Sequence, residues 1–336
     1  MRSVTSNILI IQSAFIGDVI LATSLVESVK KKYPNSSIHF LLREGNQALL
    51  ENNPHVDQIW IWNKKKNKYK NLFILIKELR FFYFEYVFCI QRFFSMGLVV
   101  TLLRAKNKVG FHSNPLSLFF SKKIKHKIPH EISRDNFLHE VQRNYQLIDN
   151  DIPNAQEIPP RLYLSEVDSL SVKKYLGKDY IVIAPTSVWF TKQWALEKWQ
   201  ELVEILSQKY QVYLIGAGED FLFCEKVKQG NANIENLCGK LSLLSSAALM
   251  KKAARVIVND SAPLHLASSV NAKTTAIFCS TVTDFGYFPL AKESIVIEQN
   301  NLICRPCGLH GHKICPLSHF DCAYKIDVMK VVESIN

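Results

Sequence analysis

Short runs rich in β-branched and aromatic residues alternate with longer segments of helical period along nearly the whole chain, and that alternation leaves few folds open. Strands joined through helices run parallel, and the sheet they form is covered by helices on both faces. In the first half, strands are expected at residues 7–12, 37–42, 58–62, 86–91 and 108–111. A helix from Asp18 to about Lys32 places Val19, Ala22, Val26 and Val29 on one face. It ends before Pro34, because the residue ahead of a proline avoids the helical conformation. A second helix at about 136–148 closes this unit. Residues 151–160, with Pro153, Pro159 and Pro160, read as a linker. Beyond it, strands are expected at 180–185, 211–215, 234–237, 255–259, 274–279 and 294–298, with a terminal helix at about 326–335. The expected architecture is therefore α/β: two doubly wound, Rossmann-like domains facing each other across a cleft, residues 1–155 and residues 156–336. Ligands of such folds bind at the carboxyl ends of the strands, where helix N-termini point.

Length and composition agree. At 336 residues there is room for two domains, each with its own core. With 48% hydrophobic and 21% charged residues the chain belongs with folded rather than disordered proteins. The most apolar stretch, residues 71–90, is broken by Lys77, Glu78, Arg80 and Glu85, too often for a membrane span. Arg2 ahead of the apolar run 8–11 imitates an export signal, but Gln12, Ser13 and Asp18 interrupt it. A cytoplasmic location is expected, where the eight cysteines remain thiols or metal ligands rather than disulfides.

The net charge of +11 is unevenly placed: residues 1–150 hold 22 basic against 11 acidic side chains, and the rest of the chain balances at 19 and 19. A basic first half suits an anionic partner, whether nucleic acid, acidic glycan or membrane surface; it is equally what a plain solvated basic face looks like.

Four segments can carry chemistry. Ser13-Ala14-Phe15-Ile16-Gly17-Asp18 joins the first strand to the first helix, so Asp18 opens onto the ligand-binding end of the sheet. Asp18 could simply cap the helix; the two roles are compatible, since the helix dipole keeps its carboxylate ionised and ready to accept a hydroxyl proton. Asn259-Asp260-Ser261-Ala262-Pro263-Leu264-His265 repeats that arrangement in the second half. Backbone amides around Ser261 and Ala262 would hold a pyrophosphate, with Asp260 and His265 beside it, although Asp-Ser before a helix is also ordinary capping chemistry. Thr186 and Ser187 end the strand at 180–185, and Lys192 follows in a tryptophan-flanked loop from which its ammonium can reach a phosphate or merely be solvated. In Gly216-Ala217-Gly218-Glu219-Asp220, Glu219 could hold a ribose or sugar hydroxyl. This turn is neither a dinucleotide fingerprint nor a Walker loop.

Taken in order over essentially the whole chain, these segments resemble glycosyltransferase family 9, the ADP-heptose:lipopolysaccharide heptosyltransferases. The resemblance rests on the Ser-Ala-Phe-Ile-Gly-Asp-Val turn, the Thr-Lys-Gln-Trp loop and the Asn-Asp-Ser-Ala-Pro-Leu-His-Leu-Ala segment. It extends to Cys304-Arg-Pro-Cys307, leading to Cys315-Pro and His319-Phe-Asp-Cys322. It implies the GT-B fold, Asp18 as catalytic base, and Ser187, Lys192, Asp260, Ser261 and His265 at donor-binding positions. Gly17, Lys64 and Arg92 are assigned to the acceptor side. Two positions depart from the family: Ala262 stands where glycine is usual, its methyl narrowing the approach to phosphate, and Ala195 stands where proline is usual.

The resemblance implies an inverting transfer of heptose, with ADP-heptose as donor and the inner core of lipopolysaccharide on lipid A as acceptor. No metal or other cofactor is required: Lys192 and the helix N-terminus at Ser261 would stabilise the leaving diphosphate. The enzyme would act as a monomer without nucleic acid, peripheral to the inner face of the cytoplasmic membrane. Two other readings remain: a GT-B sugar-nucleotide epimerase, needing no lipid acceptor, and a non-catalytic basic protein binding nucleic acid or membrane. Against the latter, Phe81, Phe82, Phe84 and Phe88 have the spacing of core residues. The Cys-rich segment 304–322 has a further reading as a zinc site of Cys304, Cys307, Cys315 and Cys322, against a thiol-lined loop beside the cleft.

Overall fold

The computed structural model describes residues 6–129 and 137–335. Its contacts divide them into two compact units, one running to Lys127 and resuming over Glu140–Tyr163, the other taking the described residues between and everything from Leu164 on.

The first unit holds β1 (Asn7–Ile11), β2 (Ser37–Arg43), β3 (Gln58–Trp62), β4 (Phe84–Cys89), β5 (Ala105–Phe111) and β6 (Lys122–Ile124). Its helices are α1 (Ile16–Lys32), α2 (Lys68–Leu79), α3 (Phe94–Leu102) and α4 (Glu140–Tyr145). All strand pairs are parallel, in the order β3-β2-β1-β4-β5-β6. In β1, Leu9 and Ile11 pack with Leu72 and Leu75 of α2 and with Met96 and Val99 of α3. Ile8 and Ile10 alternate to the opposite face and are just as deeply buried, as a strand covered on both sides requires.

The second unit repeats the plan with β7 (Tyr180–Ala184), β8 (Gln211–Leu214), β9 (Ile234–Asn236), β10 (Arg255–Asn259), β11 (Thr274–Phe278) and β12 (Ser294–Glu298). Around them lie α5 (Glu166–Ser171), α6 (Leu196–Leu206), α7 (Phe221–Lys228), α8 (Leu243–Lys251), α9 (Ala262–Ser269), α10 (Asp321–Tyr324) and α11 (Val328–Glu333). The parallel order is β12-β11-β10-β7-β8-β9. Counted within each unit, both sheets read 3-2-1-4-5-6. The crossovers therefore part beside the first strand, between β1 and β4 in one sheet and between β7 and β10 in the other, and ligand sites form at such partings.

Several local expectations need correcting. The edge strand β6 has no apolar alternation to announce it; its sequence is Lys-Lys-Ile, and exposed lysines are what keep an edge from pairing with another chain. The proline-rich stretch 151–160 belongs to the first unit. Just after it the Arg161 amide donates to Thr23 Oγ1 (2.8 Å) and the Tyr163 hydroxyl to Glu27 Oε1 (3.0 Å), which fastens the chain along α1. The chain leaves this unit for good only between Tyr163 and Leu164, whereas a boundary was expected at 155/156. Of the helix expected from Asn136, that residue lies outside the described residues and α4 begins at Glu140. The terminal helix is shorter than expected, with Asp327 accepting from the Met329 amide (2.9 Å) at its start. Phe84 and Phe88 are core, but Phe81 is 79% exposed. Among the described residues no helix is long and apolar enough to cross a membrane.

Candidate active site

In the first unit the turn after β1 is held from three sides. The Asn46 side-chain amide donates to Ala14 O (2.9 Å), Lys64 Nζ donates to Ser13 O (2.8 Å), and Gln12 Oε1 accepts from the Gln91 side-chain amide. Gln91 follows β4, so the Gln12–Gln91 bond ties together the two strand ends that flank the parting of the sheet. Phe15 stands at the helix cap without a capping side chain. Asp18 is the third residue of α1, not its cap, and is half-buried in the first turn, where unpaired amides and the helix dipole favour a negative charge. Gly17 lies beside it at the second helical position.

Lys64 comes to this turn as a strut. It lies 4.5 Å from the Trp62 ring centre; burial first, then the Arg43 and Lys68 charges, hold its ammonium down at about 8. Arg92, exposed beyond β4, meets a group that no sequence pattern announced. Its Nη1 is 3.5 Å from His126 Nδ1, His126 Nε2 is 3.0 Å from Glu140 Oε2, and Arg143 Nε donates to the same oxygen (2.7 Å). Burial would raise the Glu140 carboxyl, but His126 and Arg143 outweigh it and hold it at about 2.

The second unit brings most of its expected residues to one place. β7 ends in Pro185-Thr186-Ser187 and β10 in Asn259-Asp260, on either side of the parting. Asn259 binds both flanks: its Nδ2 donates to Pro185 O (2.7 Å) and its Oδ1 accepts from the Trp194 amide (3.0 Å). The Gln193 side chain donates to Ser187 O (2.6 Å). So folded, the loop carries Lys192 Nζ to 2.7 Å from Asp260 Oδ2, and the Thr281 hydroxyl donates to that oxygen (2.6 Å). Burial pushes the Asp260 carboxyl up; Lys192 above all, with Thr281 and His265, outweighs this and holds it below the usual carboxylate range. Ser261 is the cap of α9, Ala262 its first residue, and Pro263 sits in the first turn, where its missing N–H costs nothing. His265 is buried one turn in, its ring 6.3 Å from that of Tyr287. Glu219 stands apart, exposed in the turn after β8.

Thr281 and Arg305 complete this arrangement, and neither was among the expected site residues. Arg305 is buried; its Nε donates to Cys279 O (2.7 Å) and to Thr281 O (3.1 Å), and its Nη2 pairs with Glu298. It thus fixes the backbone of the residue whose hydroxyl orients Asp260. Arg305 lies inside the Cys-Arg-Pro-Cys motif, so a signal was present; Thr281 had none beyond following a strand end. The rest of the Cys-rich segment grips the Lys192 loop: Thr191 N donates to His312 O (3.1 Å), the His312 amide to Thr191 Oγ1 (2.7 Å), and Ser280 Oγ to Thr191 Oγ1 (3.0 Å). Cys304, Cys307, Cys315 and Cys322 are free thiols, and burial, with the neighbouring cysteines, pushes Cys322 up to about 12. Among the described residues no group of three or more His, Cys, Asp or Glu side chains is placed so that it could hold a metal ion.

Gly311 makes the grip possible. Its φ of +74° disfavours any side chain, and a Cβ there would stand 2.8 Å from Thr191 Oγ1 and 3.0 Å from Ser280 Oγ. Thr191 is buried and bonded on both sides, so it cannot yield cheaply. Gly311→Ala should therefore displace the Lys192 loop and disturb the Lys192–Asp260 pair, lowering the unfolding temperature with the far-ultraviolet circular dichroism of the native fold retained. An unchanged unfolding temperature would show that the loop does not depend on the segment.

The sequence model of glycosyltransferase family 9 (heptosyltransferase) matches residues 72–316, well over half of the chain. The chain belongs to glycosyltransferase family 9. It is a glycosyltransferase of the heptosyltransferase family, and the epimerase and non-catalytic binding readings are not favoured. The matched segment contains Lys192, Asp260 and the cysteines up to Cys315; the Asp18 turn lies ahead of it. Among curated relatives, lipopolysaccharide heptosyltransferase 3 of Escherichia coli is 29% identical over 80% of this chain and 82% of its own. Lipooligosaccharide heptosyltransferase 2 of Campylobacter jejuni is 25% identical over 96% and 95%. The solved structure of Escherichia coli ADP-heptose lipopolysaccharide heptosyltransferase II superposes with a TM-score of 0.79 at 20% identity, over 98% of this family 9 chain and 97% of that one, which establishes the GT-B fold.

Proposed function

We propose that this family 9 enzyme transfers a heptose, with inversion, from ADP-heptose to the inner-core oligosaccharide of lipopolysaccharide on lipid A. The observation that supports it most is the Lys192–Asp260 pair at the head of α9, a fixed cation beside the first-turn amides of that helix at the parting of the second sheet. Asp18 takes the proton of the acceptor hydroxyl as its oxygen attacks the anomeric carbon. The bond from that carbon to the diphosphate breaks, and the charge left on ADP is met by Lys192 and the amides of Ser261 and Ala262, the role a divalent ion plays in other transferases. Thr186, Ser187, Glu219 and His265 are assigned to the nucleotide sugar, and Gly17, Lys64 and Arg92 to the acceptor.

In this reading the first unit receives the acceptor and the second the donor. The excess positive charge of the first half suits an acceptor bearing phosphates and acidic sugars. The enzyme works as a cytoplasmic monomer in peripheral contact with the membrane that presents that acceptor.

The test is incubation of the purified protein with ADP-heptose, other ADP-, UDP- and GDP-sugars and a truncated lipid A-linked acceptor, read by mass spectrometry. A mass gain of one heptose on the acceptor, with ADP released, is expected. Transfer from a uridine or guanosine donor alone, or isomerised nucleotide sugar with an unchanged acceptor, would overturn the reading.

A further inference from the structure

The outer face of α2 is apolar where a solvent-facing helix is normally polar. Leu72, Leu75, Ile76 and Leu79 are buried against the sheet, but Phe73 and Ile74 on the outside are 54% and 48% exposed, and Phe81 just past the helix is 79% exposed. Phe73 and Lys77, at four-residue spacing, share one stripe of the helix, and Phe81, past its end, lines the same groove. Beside the stripe, a groove of about 480 Å³ is lined by Phe73, Ile76, Lys77, Arg80, Phe81 and Leu102, the last from the end of α3. Its walls are apolar and two cations stand at its rim. Residues 64–80 as a whole carry seven basic side chains and one acid, Glu78.

We propose that this face is the surface by which the first unit docks on an anionic bilayer. Phe73, Ile74 and Phe81 enter the boundary between headgroups and acyl chains, and Lys77 and Arg80 meet the lipid phosphates. The composition is that of a helix lying in the membrane interface, apolar on one side and ringed by lysine and arginine. Charge decides the occupant. A second copy of this chain would set Lys77 and Arg80 against the same two cations, whereas an acidic lipid surface neutralises them. The proposal rests on the reading that the acceptor is lipid-linked, since a bilayer-bound substrate is what gives the enzyme reason to dock.

The experiment compares wild-type protein with F73S/F81S and K77Q/R80Q in co-sedimentation with phosphatidylglycerol-containing vesicles and with phosphatidylcholine vesicles, over a range of salt and with inorganic phosphate as competitor. All four side chains are exposed, so both variants should unfold at the wild-type temperature. Wild type should prefer the anionic vesicles and keep part of its binding in high salt. K77Q/R80Q should partition roughly 30-fold less at low salt, at about a factor of five for each cation near an anionic surface. F73S/F81S should lose the salt-resistant part while transferring heptose normally to a deacylated, water-soluble acceptor. Vesicle binding by F73S/F81S equal to that of wild type would sink the proposal. So would abolition of binding by inorganic phosphate alone, or a wild-type dimer that F73S/F81S dissolves without change in vesicle binding. Docking through this face by a protein that glycosylates no lipid acceptor would instead overturn the functional reading and leave the docking surface standing.

Discussion

Asp18→Asn is expected to lower turnover by about 10²–10⁴, the usual loss when a general base is removed, with the fold and the affinity for ADP nearly unchanged. The substitution keeps the shape of the side chain in the first turn of α1 and removes its charge. That costs the helix about 0.3–1 kcal/mol of dipole interaction, small against the stability of a domain. Phe15, not Asp18, is at the cap, and Asn46, Lys64 and Gln12 hold the turn ahead of it through contacts that the substitution leaves in place. The amide cannot accept a proton from the acceptor hydroxyl, so attack on the anomeric carbon loses its base while both substrates can still bind. Initial rates with saturating ADP-heptose and acceptor, beside ADP calorimetry and thermal unfolding, separate these effects. Turnover within a few-fold of wild type would return Asp18 to a purely structural place in the helix.

Why the place of Asp18 in the fold could be read from the sequence, and that of Thr281 could not, is a matter of range. A buried parallel strand is a continuous apolar run, and the turn that follows it is short, so β1 locates Asp18 within a residue or two. The same logic located Asp260, the residue after β10, and Lys192, in the loop eight residues beyond β7. Their ion pair was not visible, because it depends on β7 and β10 being neighbours, a property of strand order rather than of any local pattern. Thr281 and Arg305 act through contacts between separate strand ends and a loop without regular secondary structure, where no period exists to read. Glu140 and Arg143 were lost differently: they sit on a short helix whose expected start lay at residue 136, and their partner His126 stands among lysines that read as plain surface. Phe81 was misplaced for the opposite reason. Its spacing fits a buried period, but the helix ends at Leu79, and the chain turns outward before the next strand begins at Phe84.

Lys192→Ala should weaken ADP binding by about 100-fold or more. One part of the loss is direct: a charge-assisted contact to phosphate contributes roughly 1.5–3 kcal/mol, or about 10- to 150-fold in Kd. The other part comes from Asp260. In the native site its carboxylate is buried and held ionised chiefly by Lys192 at 2.7 Å, helped by the Thr281 hydroxyl. Without the ammonium, that carboxylate either remains charged and repels the incoming diphosphate or takes up a proton. Breaking a buried ion pair from one side costs about 3–5 kcal/mol, so thermal stability should fall as well. The two contributions can be separated with Asp260→Asn and the double variant Lys192→Ala/Asp260→Asn, measured by calorimetry with ADP. If Lys192 touches the diphosphate, the double variant regains stability but not affinity, because the neutral asparagine no longer repels and the phosphate still lacks its cation. If Lys192 serves only to neutralise Asp260, removing both charges should restore ADP binding to near the wild-type level. Lys192 would then be a counter-ion of the fold, and the leaving group would depend on the amides of Ser261 and Ala262 alone.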